Sequence, residues 1–413
     1  SMAGKKTNFQ IQNGHIVVPP DSLKEGENTI EIGFLAGEAP LNRRDSYLYT
    51  LFVPDRASET FPCFDQPDLK GRFRLQLEIP DSWQATANTQ LQSSQSRQAR
   101  KLLTFAETPP LSTYLFAFVA GDFQVEKAER LGRSMRMFHR ETDPNLLERN
   151  RKTIFDLHES ALSWLEEYTG IDYPFPKLDF ILVPSFQFGG MEHPGAILYR
   201  ASSLLLGPSP TQSQMLARAS VIAHETAHMW FGNLVTMKWF DDVWTKEVFA
   251  NFMAAKIVNP SFPKINHELR FLLSHYPSAY AVDRTEGTHP IRQELENMSE
   301  AAQLYGAIIY QKAPIVMRQL ETLVGADTFR KGIRQYLNRF QFSNSTWSQL
   351  IDILDQLSTE DLKTWSKTWV EKAGRPRVVP QISRRSDGTV HSISVSQSDQ
   401  SDVEINWTQQ MES

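Results

Sequence analysis

This sequence predicts an α+β multidomain fold, on three observations. Short alternating runs separated by turn clusters fill residues 1–132. Helical spacing dominates residues 133–375, and alternation returns in residues 376–413, after Gly374. A chain of 413 residues suits about two to three units, each with a core of its own. The expected order is therefore a β-rich N-terminal domain, a mixed α+β central domain and a partial C-terminal β segment.

In the first stretch, HIVVP, NTIEIGFLA, SYLYTLFVP, GRFRLQLEIP, KLLTFAET and TYLFAFVAGDF read as strands. Pro19-Pro20-Asp21, Pro80-Asp81-Ser82 and Thr108-Pro109-Pro110 punctuate them, and QLQSSQSRQARK is polar enough for a hairpin tip. The central stretch opens on a strand, SMRMFHRE. A helix follows whose apolar stripe of Leu146, Leu147, Ile154, Leu157, Ala161, Leu162 and Leu165 ends at Gly170. LDFILVPSF is a buried strand leading into FGGMEH. Ser209, Pro210 and Gln212 offer a cap, a first-turn proline and a capping-box partner, so the next helix is expected from Pro210 to Gly232. Asn259-Pro260 closes the helix after that, and four further helices lead to Gly374. In the last stretch Asp387-Gly388 marks a hairpin turn.

Composition excludes some classes of partner. Apolar residues make up 40% and charged ones 22%, as in globular proteins, and the net charge of −5 gives no nucleic acid footprint. No run approaches the ~18 apolar residues of a membrane span. A soluble, cytoplasmic protein is expected. Secretion or a periplasmic location stays open, because Ser1 before Met2 leaves the natural N-terminus undetermined. The single cysteine, Cys63, has no partner within the chain and reads as structural in FPCF.

Chemistry concentrates in residues 220–255, which begin SVIAHETAH. On a helix, positions i and i+4 share a face, so His224 and His228 can offer two imidazoles to one metal ion. Glu225 stands beside them as a proton acceptor. Glu247, with eighteen residues between it and His228, suits a third ligand on a following helix, where Asn251 and Ala254 share its face.

HETAHMWFGNLVTMKWFDDVWTKEVFA resembles the zinc-site segment of the aminopeptidase N family, the gluzincins that include leukotriene hydrolase. Three other motifs agree. FPCFDQP resembles the family's FPCFDEP, and Gly189-Gly190-Met191-Glu192-His193 resembles its GxMEN motif. AIIYQKAPIVMRQLE resembles its YxKGAxVLxMLE pattern around Tyr310. The resemblance covers roughly residues 45–375. It implies a thermolysin-like α+β catalytic domain holding one Zn2+ on His224, His228 and Glu247, and peptide substrates with a free N-terminus. It assigns Glu225 as general base and Tyr310 as the oxyanion's hydrogen-bond donor. It makes Gly189, Gly190, Met191 and Glu192 a substrate-binding strand, whose Glu192 carboxylate takes the α-ammonium. It also implies a shortened N-terminal domain and a missing helical C-terminal domain.

Three positions depart from the family pattern. Val53 stands where an acid or amide usually helps hold the substrate amine, His193 replaces Asn, and Val248 replaces Gly. Asp241 or Asp242 is a candidate to orient a ligand imidazole, and Tyr305 is a lesser candidate to line the site. An endopeptidase and a non-catalytic peptide-binding module are the competing readings. Glu192 speaks against the first, and Glu225 with Tyr310 against the second.

Overall fold

The computed structural model describes residues 8–398 and Trp407. Its N-terminal part is a set of small antiparallel sheets. β1 (Gln10–Gln12) and β2 (His15–Val17) form a hairpin. There follow β3 (Tyr47–Tyr49), β4 (Gln76–Pro80), β5 (Gln84–Ala87), β6 (Leu91–Arg97), β7 (Arg100–Phe105), β8 (Phe118–Gly121) and β9 (Gln124–Arg130). They pair as β3-β8-β5 and β4-β7-β6. The polar stretch before Lys101 is β6 itself, and Gln98, at φ 57, lies in the turn to β7. The strand expected over NTIEIGFLA does not form. Residues 32–37 belong to no strand, and Phe34 and Leu35 stand exposed. Ile30 makes a single bridge, and among the described residues no strand pairs with the rest of the segment; alternation alone cannot make a strand without a ladder.

β10 (Arg133–His139) pairs antiparallel with β9, so one sheet continues across residue 132. α1 (Pro144–Thr169) then crosses to β11 (Leu178–Val183), which lies parallel to β10. β12 (Gly190–Met191) and β13 (Ile197–Arg200) complete a five-stranded sheet in the order β12-β13-β11-β10-β9. α1 starts on the Asp143 side chain, which accepts from the Asn145 N–H, and stops at Gly170, whose φ of 70° takes it out of the helix. Its inner face buries Ile154, Phe155, Leu162 and Leu165 in the core that includes all of β11. β11 is buried along its whole length, with Asp179 the one charged residue in an otherwise apolar run.

After the short α2 (Ala201–Leu204) comes α3 (Gln212–Ala227). It begins two residues later than expected, because Thr211 and Gln214 make the reciprocal capping box. It also ends earlier, with His228 as its C-cap, and turns carry the chain to Gly232. β14 (Val235–Met237) leads to α4 (Trp244–Val258). Ala219 and Ala223 of α3 meet Ala254 and Val258 of α4 in a small buried cluster. Small side chains let the two helix axes approach closely, and this packing sets the geometry of the site.

The rest of the central region is helical: α5 (His267–Asp283), α6 (Ala313–Val324), α7 (Ala326–Phe340), α8 (Trp347–Asp355) and α9 (Leu362–Trp369). β15 (Ser343–Ser345) interrupts it to pair with β14. Beyond Gly374, β16 (Arg377–Arg384) and β17 (Val390–Ser398) form the expected hairpin, with Gly388 at φ 85° in its turn. Among the described residues no helix is long and apolar enough to cross a membrane. Cys63 is half-buried and free, and burial pushes its thiol up to about 12, in keeping with a structural role.

Candidate active site

Three donor atoms converge between α3 and α4. His224 Nε2 and His228 Nε2 lie 3.1 Å apart. Glu247 Oε2 is 3.6 Å from the first and 3.9 Å from the second. A tetrahedral zinc with ligand bonds of about 2.0–2.1 Å separates its ligands by about 3.3 Å, so the set fits the ion. The other ring nitrogens agree. His228 Nδ1 donates to the Phe231 carbonyl at 3.0 Å, and His224 Nδ1 is 3.0 Å from Asn251 Oδ1. With one ring proton of each held there, the two Nε2 atoms are turned toward each other and toward Glu247, where both can give a lone pair to a cation that displaces any proton shared between them. Asp241 and Asp242 do not orient these imidazoles. Both bind Arg292, and Asp242 also accepts from the Trp347 N–H.

Glu225 lies directly beneath the edge strand. A Cβ on Gly190 would come within 2.4 Å of Glu225 Oε1, so only glycine lets β12 pass over this carboxylate. β12 is an outer strand of its sheet, hydrogen-bonded to β13 on one side only. Its outer edge is therefore free among the described strands to receive an extended chain. Glu192 follows at once, buried, its main-chain carbonyl held by Asn233 at 2.7 Å. Gly232 sits below at φ 117°, where a Cβ would press on Lys246 at 3.2 Å.

The carboxylates are not alone. Lys246 Nζ donates to Glu192 Oε1 at 2.6 Å and lies 3.0 Å from Glu247 Oε1. The ring of Tyr114, from the N-terminal region, stands 5.5 Å from the same ammonium, and its hydroxyl donates to the Gly232 carbonyl. Neither Lys246 nor Tyr114 was legible in the sequence as a site residue. Lys246 could have been suspected, since it adjoins Glu247 in a helix that is otherwise apolar around it. Tyr114 carries no such signal.

Three carboxylates (Glu192, Glu225, Glu247) against one ammonium leave two formal negative charges, which matches a dication. Burial pushes Glu225 up to about 8, with the Glu192 and Glu247 charges adding to it and His224 opposing. Burial would raise Glu247 as well, but Lys246 and the His224 hydrogen bond outweigh it and hold this carboxylate well below its usual range. Glu192, Glu225 and His228 form a second group of possible ligands. Glu192 is engaged by Lys246, so the trio of His224, His228 and Glu247 is the better one.

Tyr310 lies in a π-helical turn, Ile308–Lys312, just before α6. Such turns recur at functional sites. Burial raises its hydroxyl pKa, and the Glu247 charge adds to this. The Tyr305 ring stacks 6.3 Å from it, and the buried Tyr305 hydroxyl has no hydrogen-bond partner. Val53 is half-buried against the main core, and Val248 is fully buried in it. Neither ring nitrogen of His193 has a partner in its buried position.

The peptidase family M1 domain matches residues 154–369, and the peptidase M1 N-terminal domain matches residues 16–115. The chain belongs to peptidase family M1. It is 36% identical to a puromycin-sensitive aminopeptidase of Caenorhabditis elegans over 84% of this chain and 36% of that protein. It is 34% identical to a probable aminopeptidase of Sulfurisphaera tokodaii, over 92% of this chain and 49% of the relative. An aminopeptidase N of Streptomyces lividans is also 34% identical, over 85% and 41%. The chain thus spans between about a third and a half of the length of these curated relatives.

Proposed function

We propose that this chain carries the catalytic machinery of a zinc aminopeptidase, which removes N-terminal residues from peptides. We take residues 1–132 as the N-terminal domain, 133–375 as the catalytic domain and 376–413 as the start of a β domain. The observation that carries the reading is the convergence of His224, His228 and Glu247 beside Glu225, under an edge strand that ends in Glu192.

His224, His228 and Glu247 would hold the ion. Zinc bound there supplies Lewis acidity, making a water more acidic and polarising a carbonyl. The protein groups do the rest. Gly189, Gly190 and Met191 offer backbone to the substrate, which lies along the outer edge of β12. Glu192 accepts a hydrogen bond from the α-ammonium and so sets the cut one residue from the end. Glu225 takes a proton from the attacking water and returns it to the leaving amine. Tyr310 donates to the oxyanion that develops on the scissile carbonyl.

The test is an assay of the zinc-loaded protein on one peptide, free and N-acetylated. Cleavage of the free peptide alone, lost in Glu225→Gln, supports the reading. Equal cleavage of both peptides would make the chain an endopeptidase. Cleavage of neither, with zinc bound, would leave it a binding module.

A further inference from the structure

Lys246 is the buried group that the mechanism above does not use. Its side chain is 4% exposed, and its ammonium touches both Glu192 and Glu247. The Tyr114 ring closes the cage. A cation between carboxylates and an aromatic face is what a bound substrate amine would look like at the same carboxylate. We propose that Lys246 is an internal occupant of the amine subsite: it competes with the substrate's α-ammonium for Glu192 and so sets how strongly a free N-terminus is preferred. The inference rests on the reading of Glu192 as the amine anchor.

The physical argument is charge counting at short range. Glu192 Oε1 is already engaged at 2.6 Å, so an incoming ammonium finds a carboxylate whose charge is largely answered. Two ammonium groups on one carboxylate also repel each other, strongly in a site of low dielectric. Val53, where the family pattern has a polar side chain for the amine, supplies no compensating acceptor. Free-amine recognition should therefore be weak for as long as Lys246 keeps its charge. Lys246 is a specificity-determining residue in this scheme: it acts on the anchor Glu192, and because it also touches Glu247 the variants are compared at verified zinc content.

Lys246→Met removes the charge at similar length, and Lys246→Gln keeps a hydrogen-bond donor without the charge. The zinc-loaded protein and both variants are assayed on a free peptide and its N-acetylated copy. The expected result, at matched zinc content, is a KM for the free peptide roughly tenfold lower in both variants, with no gain for the acetylated copy; any change in kcat reports the contact with Glu247 and is read separately. The second readout needs no turnover: titration calorimetry of leucine amide into metal-free protein, with a thermal melt to verify folding. Leucine amide should bind roughly tenfold tighter to each folded variant, and the gain should vanish when Glu192→Gln is added. Unchanged or weaker amine binding in a folded variant overturns the proposal. If no form cleaves either peptide, the aminopeptidase reading fails, while the calorimetric titration still decides the role of Lys246. Should Lys246→Met not fold, Lys246→Gln carries the test.

Discussion

Of the buried lysines that sit on a carboxylate, Lys177 and Lys246 have surroundings that could hardly differ more. Lys177, at the start of β11, donates to Asp179 at 2.6 Å, to Thr86 at 2.8 Å and to the Gly195 carbonyl at 2.5 Å. Asp179 in turn takes both arms of Arg136 and the Thr86 hydroxyl. Every ammonium proton is used, and the carboxylate is saturated. Around Lys246 the account stays open. Glu247 keeps one oxygen for the imidazoles, and the Tyr305 hydroxyl and both His193 nitrogens lack partners. A closed network ties the N-terminal sheets to the central sheet. An open one, with buried polar groups left unpartnered, is built to receive something. Buried polar groups cost free energy when unpaired, so a cluster that leaves them so is where a ligand is expected.

The largest predicted effect breaks the open cluster at its base. Glu225→Gln keeps the shape under Gly190 and removes the proton acceptor. Peptide hydrolysis should fall by about 10⁴, with zinc content and melting temperature held. A loss of only a few-fold, measured as kcat at saturating peptide, would remove Glu225 from the proton transfer.

The same kind of change in the closed cluster should cost stability and spare chemistry. Asp179→Ala leaves Lys177 and Arg136 without their shared carboxylate, and breaking a buried pair in this way costs about 3–5 kcal/mol. Urea unfolding reads this directly. Among molecules that remain folded, kcat should be unchanged. If Asp179→Ala instead left stability intact and altered kcat, the division between closed scaffold and open site would be wrong.

How legible this division was in the sequence depended on the range of the interactions. His224, Glu225 and His228 were readable because a helix fixes their spacing, and Gly190 only through the resemblance of Gly189–His193 to the GxMEN motif. α1, α4, α6 to α9 and the β16–β17 hairpin followed from caps, stripes and turn residues, all of them local signals, whereas α5 was not singled out. What failed was tertiary. The start of α3 went to Thr211, where the local capping geometry was better than at Ser209. The segment around Phe34 has strand periodicity without a neighbouring ladder among the described residues. Lys246 drew no assignment, because only the approach of β12 to α4 sets it on Glu192. Asn251 was placed on the right face, but its contact with His224 depends on the close packing of α3 and α4 through alanines.

Tyr310 sharpens the comparison from the other side of the cleft. Its π-helical turn is anchored just beyond it by Lys312, which pairs with buried Asp283 at 2.9 Å and donates to the Gly374 carbonyl at 2.7 Å. This anchor is another closed network, placed next to a residue of the open one. Tyr310→Phe removes one hydroxyl and should lower kcat by about 10²–10³ with little change in KM. A change confined to KM would assign the hydroxyl to ground-state binding instead.

The smallest predicted effect tests the closed type of network by pH. His158 of α1 is fully buried, stacked 4.0 Å over Phe180. Its Nδ1 donates to the Ile154 carbonyl at 2.8 Å, which leaves Nε2 to accept from the Tyr199 hydroxyl at 3.1 Å. The neutral ring thus satisfies both partners. Burial lowers its pKa from 6.5 to about 4, with the Ile154 hydrogen bond opposing. Between those two values the unfolded chain binds the proton and the folded protein does not. The contribution to stability is therefore complete above 6.5, is lost as pH falls toward 4, and changes no further below that. The full loss is at most about 3 kcal/mol. Burial lowers His139 and His193 in the same direction, so the slope of the native protein alone does not isolate His158. The comparison with His158→Gln does. The variant should be less stable at neutral pH, because a flexible amide packs poorly on Phe180, yet it should lose less on acidification. Urea melts at pH 7.5 and 4.5 give the difference. Equal losses in the two proteins would mean that His158 takes up its proton within the fold, and that this network is more open than its hydrogen bonds imply.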